Sequence, residues 1–521
     1  MIEASNSQAP GAFYSGRWAD LYHGDCREVL AEYPPDTFSA VVTDPPYGLS
    51  EEPPVEDVLG SWLAGNEYEP ACGTGGFMNA SWDHFLPGPR VWKEVLRVLK
   101  PGGFLLAFAG SRTRDYLGIS LRLAGFRIEE SIEWLHAQGH PTRNRRAELA
   151  VDQEANAGGR GERRRAHGMV PLSGHESAAV YRGRGTALKP AHESILVAKK
   201  PLSEKNLARN LLTHGAGSIG IDACRIEGAP GDGVWGSSNQ TVSAERLLNT
   251  SPGMAAYRSE RHPLGRYPAN VVLSCCDPEE DEQSCTGCPV TELDTQSGIR
   301  KSGANPTRRG SDKFRGVYSR WQGQAECQPA RGGSVGGASR FYFCAKASRS
   351  EREEGLGELP ESPLRWSNGS ANPGSFQSAG TRKESRNPHP TTKPVELMRW
   401  LLRLTVPDGG LVLDPFAGSG TTAVAATAEG VSSTLVEREG EYLEVIRARL
   451  THAERQAEIG AEHPGQGLGV RRTGPLGATG KGKGATTTSA EQLAFELTPE
   501  CGDPDHKRQA SEAIPKLGEG S

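Results

Sequence analysis

The stretch Phe38-Ser-Ala-Val-Val42, followed by Thr43-Asp44-Pro45-Pro46-Tyr47-Gly48, restricts the fold more than any other part of the chain. A short apolar run with β-branched valines reads as a strand covered on both faces, as in parallel sheets. Two consecutive prolines end it. Pro46 keeps Pro45 extended, and neither ring nitrogen can donate to a ladder. The carbonyls of such a turn point away from the sheet, with an acid before the turn and an aromatic ring after it. This is the carboxyl edge of a strand, where open α/β sheets bind ligands. An acceptor, a rigid carbonyl and a stacking ring suit an exocyclic amino group on a flat base.

The neighbouring sequence repeats the strand–helix alternation. Ala19–Asp25 reads as a short strand ending in Gly-Asp, Cys26–Glu32 as a helix and Trp92–Leu99 as another, stopped by Lys100-Pro-Gly-Gly103. Phe104–Ala109 is a buried strand, Thr113–Ala124 a helix closed by Gly125, and Phe126–Trp134 a further strand. Ser50–Asn79 lacks periodicity and reads as a long loop beside the active site. Repeated βα units predict a doubly wound sheet. The pattern degrades from Gly139 and returns after His389. There Val395–Leu404 predicts a helix, Gly410–Leu413 a strand, Ala423–Glu429 a helix, Ser433–Val436 a strand and Glu441–Ala453 a last helix.

Composition limits the alternatives. The chain has 521 residues, room for two or three domains, but only 36% hydrophobic residues against 65 Gly and 36 Pro, so much of it is loop. The net charge of -5 argues against a uniformly basic coat and leaves local patches open. No signal peptide or membrane span is visible, which predicts a cytoplasmic protein without membrane partners. Ten cysteines are then expected as reduced thiols or metal ligands. Cys285-Thr-Gly-Cys288 with Cys275-Cys276 has zinc-like spacing, but adjacent cysteines make poor ligand geometry, and no metal is expected in the site.

The middle of the chain is locally basic. From Arg143 to Lys200 there are twelve basic residues against six acidic, and from Lys301 to Arg352 eleven against three. Phe314, Tyr318, Trp321, Phe341, Tyr342 and Phe343 are interleaved with the second cluster. A surface that follows phosphates and contacts bases needs that mixture, although a solvated loop can carry it too.

Asp414-Pro-Phe416-Ala417-Gly418-Ser419-Gly420 stands between a strand and a helix, where glycines let backbone approach a ligand. It lacks the Gly-Lys-Ser/Thr of a phosphate loop. An acid at Asp414 would repel pyrophosphate and welcome an ammonium. Glu437 lies 23 positions further on, at the tip of the next strand, where acids bind ribose hydroxyls. An adenosine-like ligand carrying an amine, such as S-adenosylmethionine, suits both.

Taken together, Asp44-Pro-Pro-Tyr47, Asp414-Pro-Phe-Ala-Gly-Ser-Gly420 and His389-Pro-Thr-Thr-Lys393-Pro394 resemble the DNA amino-methyltransferase family. Their order resembles its β group, in which the catalytic tetrapeptide precedes the cofactor loop. Arg97–Gly103, Gly183–Pro190 and Phe343–Arg349 are similar to stretches of phage-type site-specific methylases within that group. The resemblance covers roughly Asp20–Ala453 and implies a Rossmann-like methyltransferase sheet, circularly permuted, with a large irregular recognition region inserted. The implied organisation is an N-terminal tail (1–16), a catalytic half (17–141), a target-recognition insert (142–388), a cofactor-binding half (389–456) and a disordered tail (457–521).

The resemblance also implies roles. Asp44 and the Pro45 carbonyl would accept hydrogen bonds from the target amine, within the turn that Pro46 stiffens, and Tyr47 would stack on an extruded base. Asp414 with the Phe416–Gly420 loop would hold the methionine half of S-adenosylmethionine, Glu437 its ribose and Asp25 its adenine. Thr391 and Lys393 would contact its carboxylate. The substrate would be double-stranded DNA, with adenine N6 favoured over cytosine N4 because the tetrapeptide begins with Asp. His140 stands where relatives usually place an aromatic, and could alter that preference. A homodimer and a cognate restriction endonuclease remain open as partners. Two other readings compete: a DNA-binding protein with a decayed catalytic half, against which the intact motifs count, and an RNA or protein amide methylase, against which motif order and Asp44 count.

Overall fold

The computed structural model describes residues 11–49, 52–70, 81–136, 146–157, 176–188, 190–226, 265–276, 288–301, 335–347, 350–363 and 384–462. Their largest sheet has ten strands: β1 (Tyr14–Ser15), β2 (Ala19–His23), β3 (Phe38–Thr43), β4 (Leu99–Ala109), β5 (Arg127–Leu135), β6 (His192–Lys199), β7 (Val271–Cys276), β8 (Phe343–Ala347), β9 (Leu411–Asp414) and β10 (Ser432–Glu437). The spatial order is β1-β2-β10-β9-β3-β4-β6-β5-β7-β8. All neighbours run parallel except at β1, an antiparallel edge, and β6, which runs against both β4 and β5.

Strand β3 is buried along its whole length, and its period of two divides it between two cores. Ala40 and Val42 enter one, Val41 the other. In β4, Leu106 and Phe108 join the first core, while Leu105, Ala107 and Ala109 join the second. Helices α1 (Cys26–Ala31), α2 (Val55–Leu63), α3 (Pro89–Val98) and α4 (Arg114–Ala124) supply buried side chains to the second side or its margin. Helices α5 (Val395–Thr405), α6 (Thr421–Glu429) and α7 (Gly440–Glu462) supply the first. All nine residues of α6 are buried, and Ala, Thr and Val are small enough to lie between the sheet, α5 and α7. The expected doubly wound class is therefore present, with each end of the chain covering one face.

Several local expectations shift. The Ser50–Asn79 stretch contains α2, which Pro53-Pro54 precede and which buries Val58 and Trp62 one turn apart. Helix α3 does end ahead of Lys100-Pro-Gly-Gly103, but that stretch already belongs to β4 and bulges there, the register jumping from Phe38↔Leu99 to Ala40↔Phe104. Gly102 takes φ +80°, and the bulge is held by Asn210, whose Nδ2 donates to the Pro101 carbonyl at 2.9 Å. The 142–388 segment contributes β6, β7 and β8 to the same sheet. At the far end α7 runs to Glu462, into the segment expected as tail. Residues 463–521, His140, Cys285 and residues 302–334 of the second basic cluster lie outside the described residues.

The consequence for a site is positional. The parallel strands β2, β10, β9, β3, β4 and β5 finish at one edge of the sheet, and antiparallel β6 begins there. Asp25, Glu437, Asp414, Asp44, Gly110, His136 and Glu193 thus arrive at one edge from seven strands.

Candidate active site

A cleft of about 300 Å³ opens along that edge, a size suited to a nucleoside-like cofactor. Asp25, Asp44, Pro45, Pro46, Tyr47, Thr391, Phe416, Gly418 and Glu437 line it. Lys393, Asp414, Ala417, Ser419 and Gly420 are not on its wall.

The Pro-Pro-Tyr turn is held rigidly from behind. Buried Asp83 accepts the backbone N–H of Tyr47 at 2.7 Å, of Gly48 at 2.9 Å and of Leu49 at 3.1 Å. Thr113 Oγ1 donates to the Tyr47 carbonyl at 2.6 Å. The three N–H groups that follow the two prolines, and the Tyr47 carbonyl, are thereby answered by side chains. Nothing in the sequence marked Asp83, which follows Ser81-Trp82 after a stretch without periodicity.

Asp44 sits at the head of this turn. Its Oδ2 receives the Lys393 ammonium at 2.6 Å. Its Oδ1 is buried and has no hydrogen-bond partner among the described residues. Lys393 itself is buried, with Nζ 3.4 Å from Glu193 and 5.0–5.4 Å from the ring centroids of Phe108 and Tyr47. Tyr47 donates its hydroxyl to Glu193 Oε2 at 2.8 Å. Burial, reinforced by the charge of Glu193, raises Asp44 above the usual carboxylate range despite Lys393. Burial also pushes Glu193 upward, but Lys393, Tyr47 and His136 outweigh it and leave that carboxyl below its ordinary value. Against its own burial, the two acids raise Lys393. Lys393 is therefore a fixed cation serving Asp44 and Glu193, and is not positioned as a free partner for a ligand carboxylate.

Asp414 also departs from expectation. Thr43 and Thr422 donate to its two oxygens at 2.7 and 2.5 Å, and the Phe416 N–H to the first at 3.1 Å. With both oxygens turned inward, this buried acid ties β9 to β3 and to the start of α6. Burial raises its carboxyl to about 7. Ser419 likewise faces inward, where its carbonyl accepts from the buried Arg449 guanidinium at 2.6 Å.

What the loop presents to the cleft is backbone and ring. Gly418 has φ +56°, and a Cβ there would lie 2.8 Å from His389 Nε2. His389 packs edge-on against Tyr442, with centroids 4.8 Å apart, and stacks on Trp82 with planes 11° apart. Burial, aided by the charge of Lys393, lowers His389 to about 3, so it is a neutral wall. Glu437 accepts the N–H groups of Gly418 at 2.7 Å and Glu439 at 2.8 Å, one on each oxygen. A lone pair on each oxygen remains for a vicinal diol. Asp25 caps α1 through Arg27 N at 2.8 Å and pairs with the Arg27 guanidinium at 2.7 Å.

These groups fit S-adenosylmethionine: two acids at strand ends, aromatic and apolar walls at Phe416 and Val91, and a loop glycine that admits close approach. Among the described residues there is no group of three or more His, Cys, Asp or Glu able to hold a metal. No helix is long and apolar enough to cross a membrane.

The family model described as "DNA methylase" (N6_N4_Mtase) matches residues 38–448. The type II methyltransferase M2.DpnII of Streptococcus pneumoniae is 42% identical over 62 residues, 12% of this chain and 23% of that protein. The type II methyltransferase M.ScaI of Streptomyces caespitosus is 34% identical over 74 residues, 14% of this chain and 24% of that protein. The match thus spans about a quarter of the length of these curated relatives. Among solved structures, the cytosine-N4-specific PvuII DNA methyltransferase is 13% identical with a TM-score of 0.36, over 88% of this chain and 97% of that one.

Proposed function

The chain belongs to the N6/N4 DNA methylase family, and from that premise we propose that it is a site-specific DNA methyltransferase that uses S-adenosylmethionine to methylate adenine N6 in double-stranded DNA. The observation that carries this reading is the Asp44 Oδ1 acceptor, buried in the turn that borders the cleft and without a partner among the described residues. A buried carboxylate oxygen left unanswered is costly unless a ligand donor completes it. An amine of an extruded base supplies such a donor, and the Pro45 carbonyl beside it offers a second acceptor.

When bound, S-adenosylmethionine supplies an electrophilic methyl on a sulfonium sulfur, which keeps the bonding pair as the methyl departs. The chain's own residues then act by placement. Asp44 Oδ1 and the Pro45 carbonyl take the two N–H bonds of the amine and aim its lone pair, and the alkylated, positively charged nitrogen then releases one of these protons to water. The Tyr47 ring, fixed through its hydroxyl to Glu193, stacks on the base. Glu437 holds the ribose diol, and Asp25 faces the adenine of the cofactor. Neither Asp414 nor Lys393 is assigned to the ligand. Adenine is favoured over cytosine because an Asp opens the tetrapeptide, and N4-cytosine methylation is the alternative.

The decisive experiment expresses the chain in a methylase-free host and reads its DNA by single-molecule sequencing, beside Asp44→Ala. Modified adenine within one short motif, absent from the variant, is the expected result. N4-methylcytosine would transfer the reading to the other base. No modification from a protein that binds S-adenosylmethionine would overturn DNA as the substrate. Cofactor affinity of Asp44→Ala should stay within about twofold, since the acid acts on the amine.

A further inference from the structure

Glu193 enters the site from an unexpected direction. It lies near the start of β6, the strand that runs against both neighbours, so its carboxylate reaches the edge where the other strands end. One oxygen, Oε2, takes the Tyr47 hydroxyl at 2.8 Å and faces Lys393 Nζ at 3.4 Å. The other lies 3.6 Å from His136 Nε2. Lys393 is in turn 2.6 Å from Asp44. Two acids therefore share one ammonium, and the more distant acid also fixes the ring of the turn.

We propose that Glu193 is a positioning residue for methyl transfer, drawing on Lys393 and Tyr47 so that Asp44 keeps an acceptor free for the amine without Glu193 touching the substrate. The inference rests on the reading of Asp44 as the amine acceptor. A one-to-one Lys–Asp pair would spend the charge of Asp44 on the ammonium. A second carboxylate opposite divides the cation and leaves the group as a whole with an excess of negative charge. Positive charge passes to the amine nitrogen during transfer, and an excess of buried negative charge beside it favours that transfer. The groups facing Asp44 are Lys393 before α5, Glu193 on β6, Tyr47 in its own turn and Asp414 on β9, with His136 behind Glu193. Of these, Lys393 and the Tyr47 hydroxyl lower the Asp44 carboxyl and Glu193 raises it.

The test uses Glu193→Gln in the full chain, which keeps an acceptor for Tyr47 and removes only the charge. Carboxyl NMR of the cofactor-free protein, with the Asp44 signal identified through Asp44→Asn, reads the coupling without any activity. The Asp44 midpoint should fall in Glu193→Gln and return toward the wild-type value in Glu193→Asp. A midpoint that does not move overturns the proposal, whether or not the protein methylates DNA. Single-turnover methylation of duplex DNA should slow about a hundredfold, with the acid limb of its pH profile moved to lower pH and S-adenosylmethionine affinity unchanged. Unchanged turnover, or a loss matched by lower thermal stability with an unmoved acid limb, also overturns it. If the midpoint moves while the wild-type protein methylates no DNA, the charge coupling stands and the reading of the site as a DNA methyltransferase fails.

Discussion

Asp83 and Asp414 show how much of this site is built by buried acids that hold the protein's own N–H groups and hydroxyls. Asp83 answers three consecutive backbone N–H groups of the Pro-Pro-Tyr turn, from Tyr47 to Leu49. Asp83→Ala strands those donors at about 1 kcal/mol or more each. Single-turnover methylation should be lost and the melting temperature lowered, while calorimetry still finds S-adenosylmethionine bound; a variant of normal rate would show that the turn holds itself. Asp414 makes a pH prediction. Burial raises its carboxyl to about 7, whereas an unfolded Asp titrates near 4. The folded protein then holds the proton more tightly, so the stability it lends is full at low pH and is lost as pH rises through about 7. Urea titrations at about pH 5 and about pH 8 should show the wild type losing ground relative to Asp414→Asn, whose amide does not titrate. A gap moving the other way would mean that the Thr43 and Thr422 hydroxyls hold the acid ionised.

At the scale of elements, the tight loop between β9 and α6 carries the sharpest constraint. Gly418→Ala must accept a left-handed φ, costing about 1–2 kcal/mol, and must also displace His389 from its place between Trp82 and Tyr442. Cofactor affinity should fall at least about tenfold with a smaller effect on folding. Equal affinity would place the ligand away from this loop. Such constraints explain what the sequence made legible. Strand exits announce themselves locally, so Asp25, Asp44, Tyr47, Gly418 and Glu437 could be expected at one edge, and the cleft does bring them together. Side-chain direction was not legible. Asp414 turns to Thr43 across 371 positions and Lys393 to Asp44 across 349, and no local spacing encodes a partner that far away. Glu193 escaped notice for a related reason: it lies where the strand–helix pattern degrades, and only the antiparallel entry of β6 into the sheet delivers this acid to the site. Helix α2 was missed because two buried residues, Val58 and Trp62, are too few to make a period.

Across the whole molecule, charge is separated by task. The formal net charge is -5, yet Arg143–Lys200 and Lys301–Arg352 carry local excesses of six and eight positive charges, from twelve against six and eleven against three. If those stretches follow phosphates, duplex DNA affinity should fall roughly a thousandfold between about 50 and about 200 mM salt. S-adenosylmethionine affinity should barely move if short-range contacts in the cleft hold it. Filter binding and calorimetry over one salt series compare the two. A flat DNA response would assign binding to uncharged contacts instead.

The placement of β9 beside β3 sets a clock as well as a geometry. Leu411 follows Thr43 by 368 residues, and ribosomes add about 5–20 residues per second, so roughly 20–70 seconds separate the synthesis of the two strands. Throughout that interval β3, apolar on both faces, has an open edge where β9 will later pair. The nascent protein thus emerges with an apolar strand waiting for its neighbour, an edge open to other chains. The edge that carries Asp44 is not complete until β9 and β10, with Asp414 and Glu437, have been synthesised.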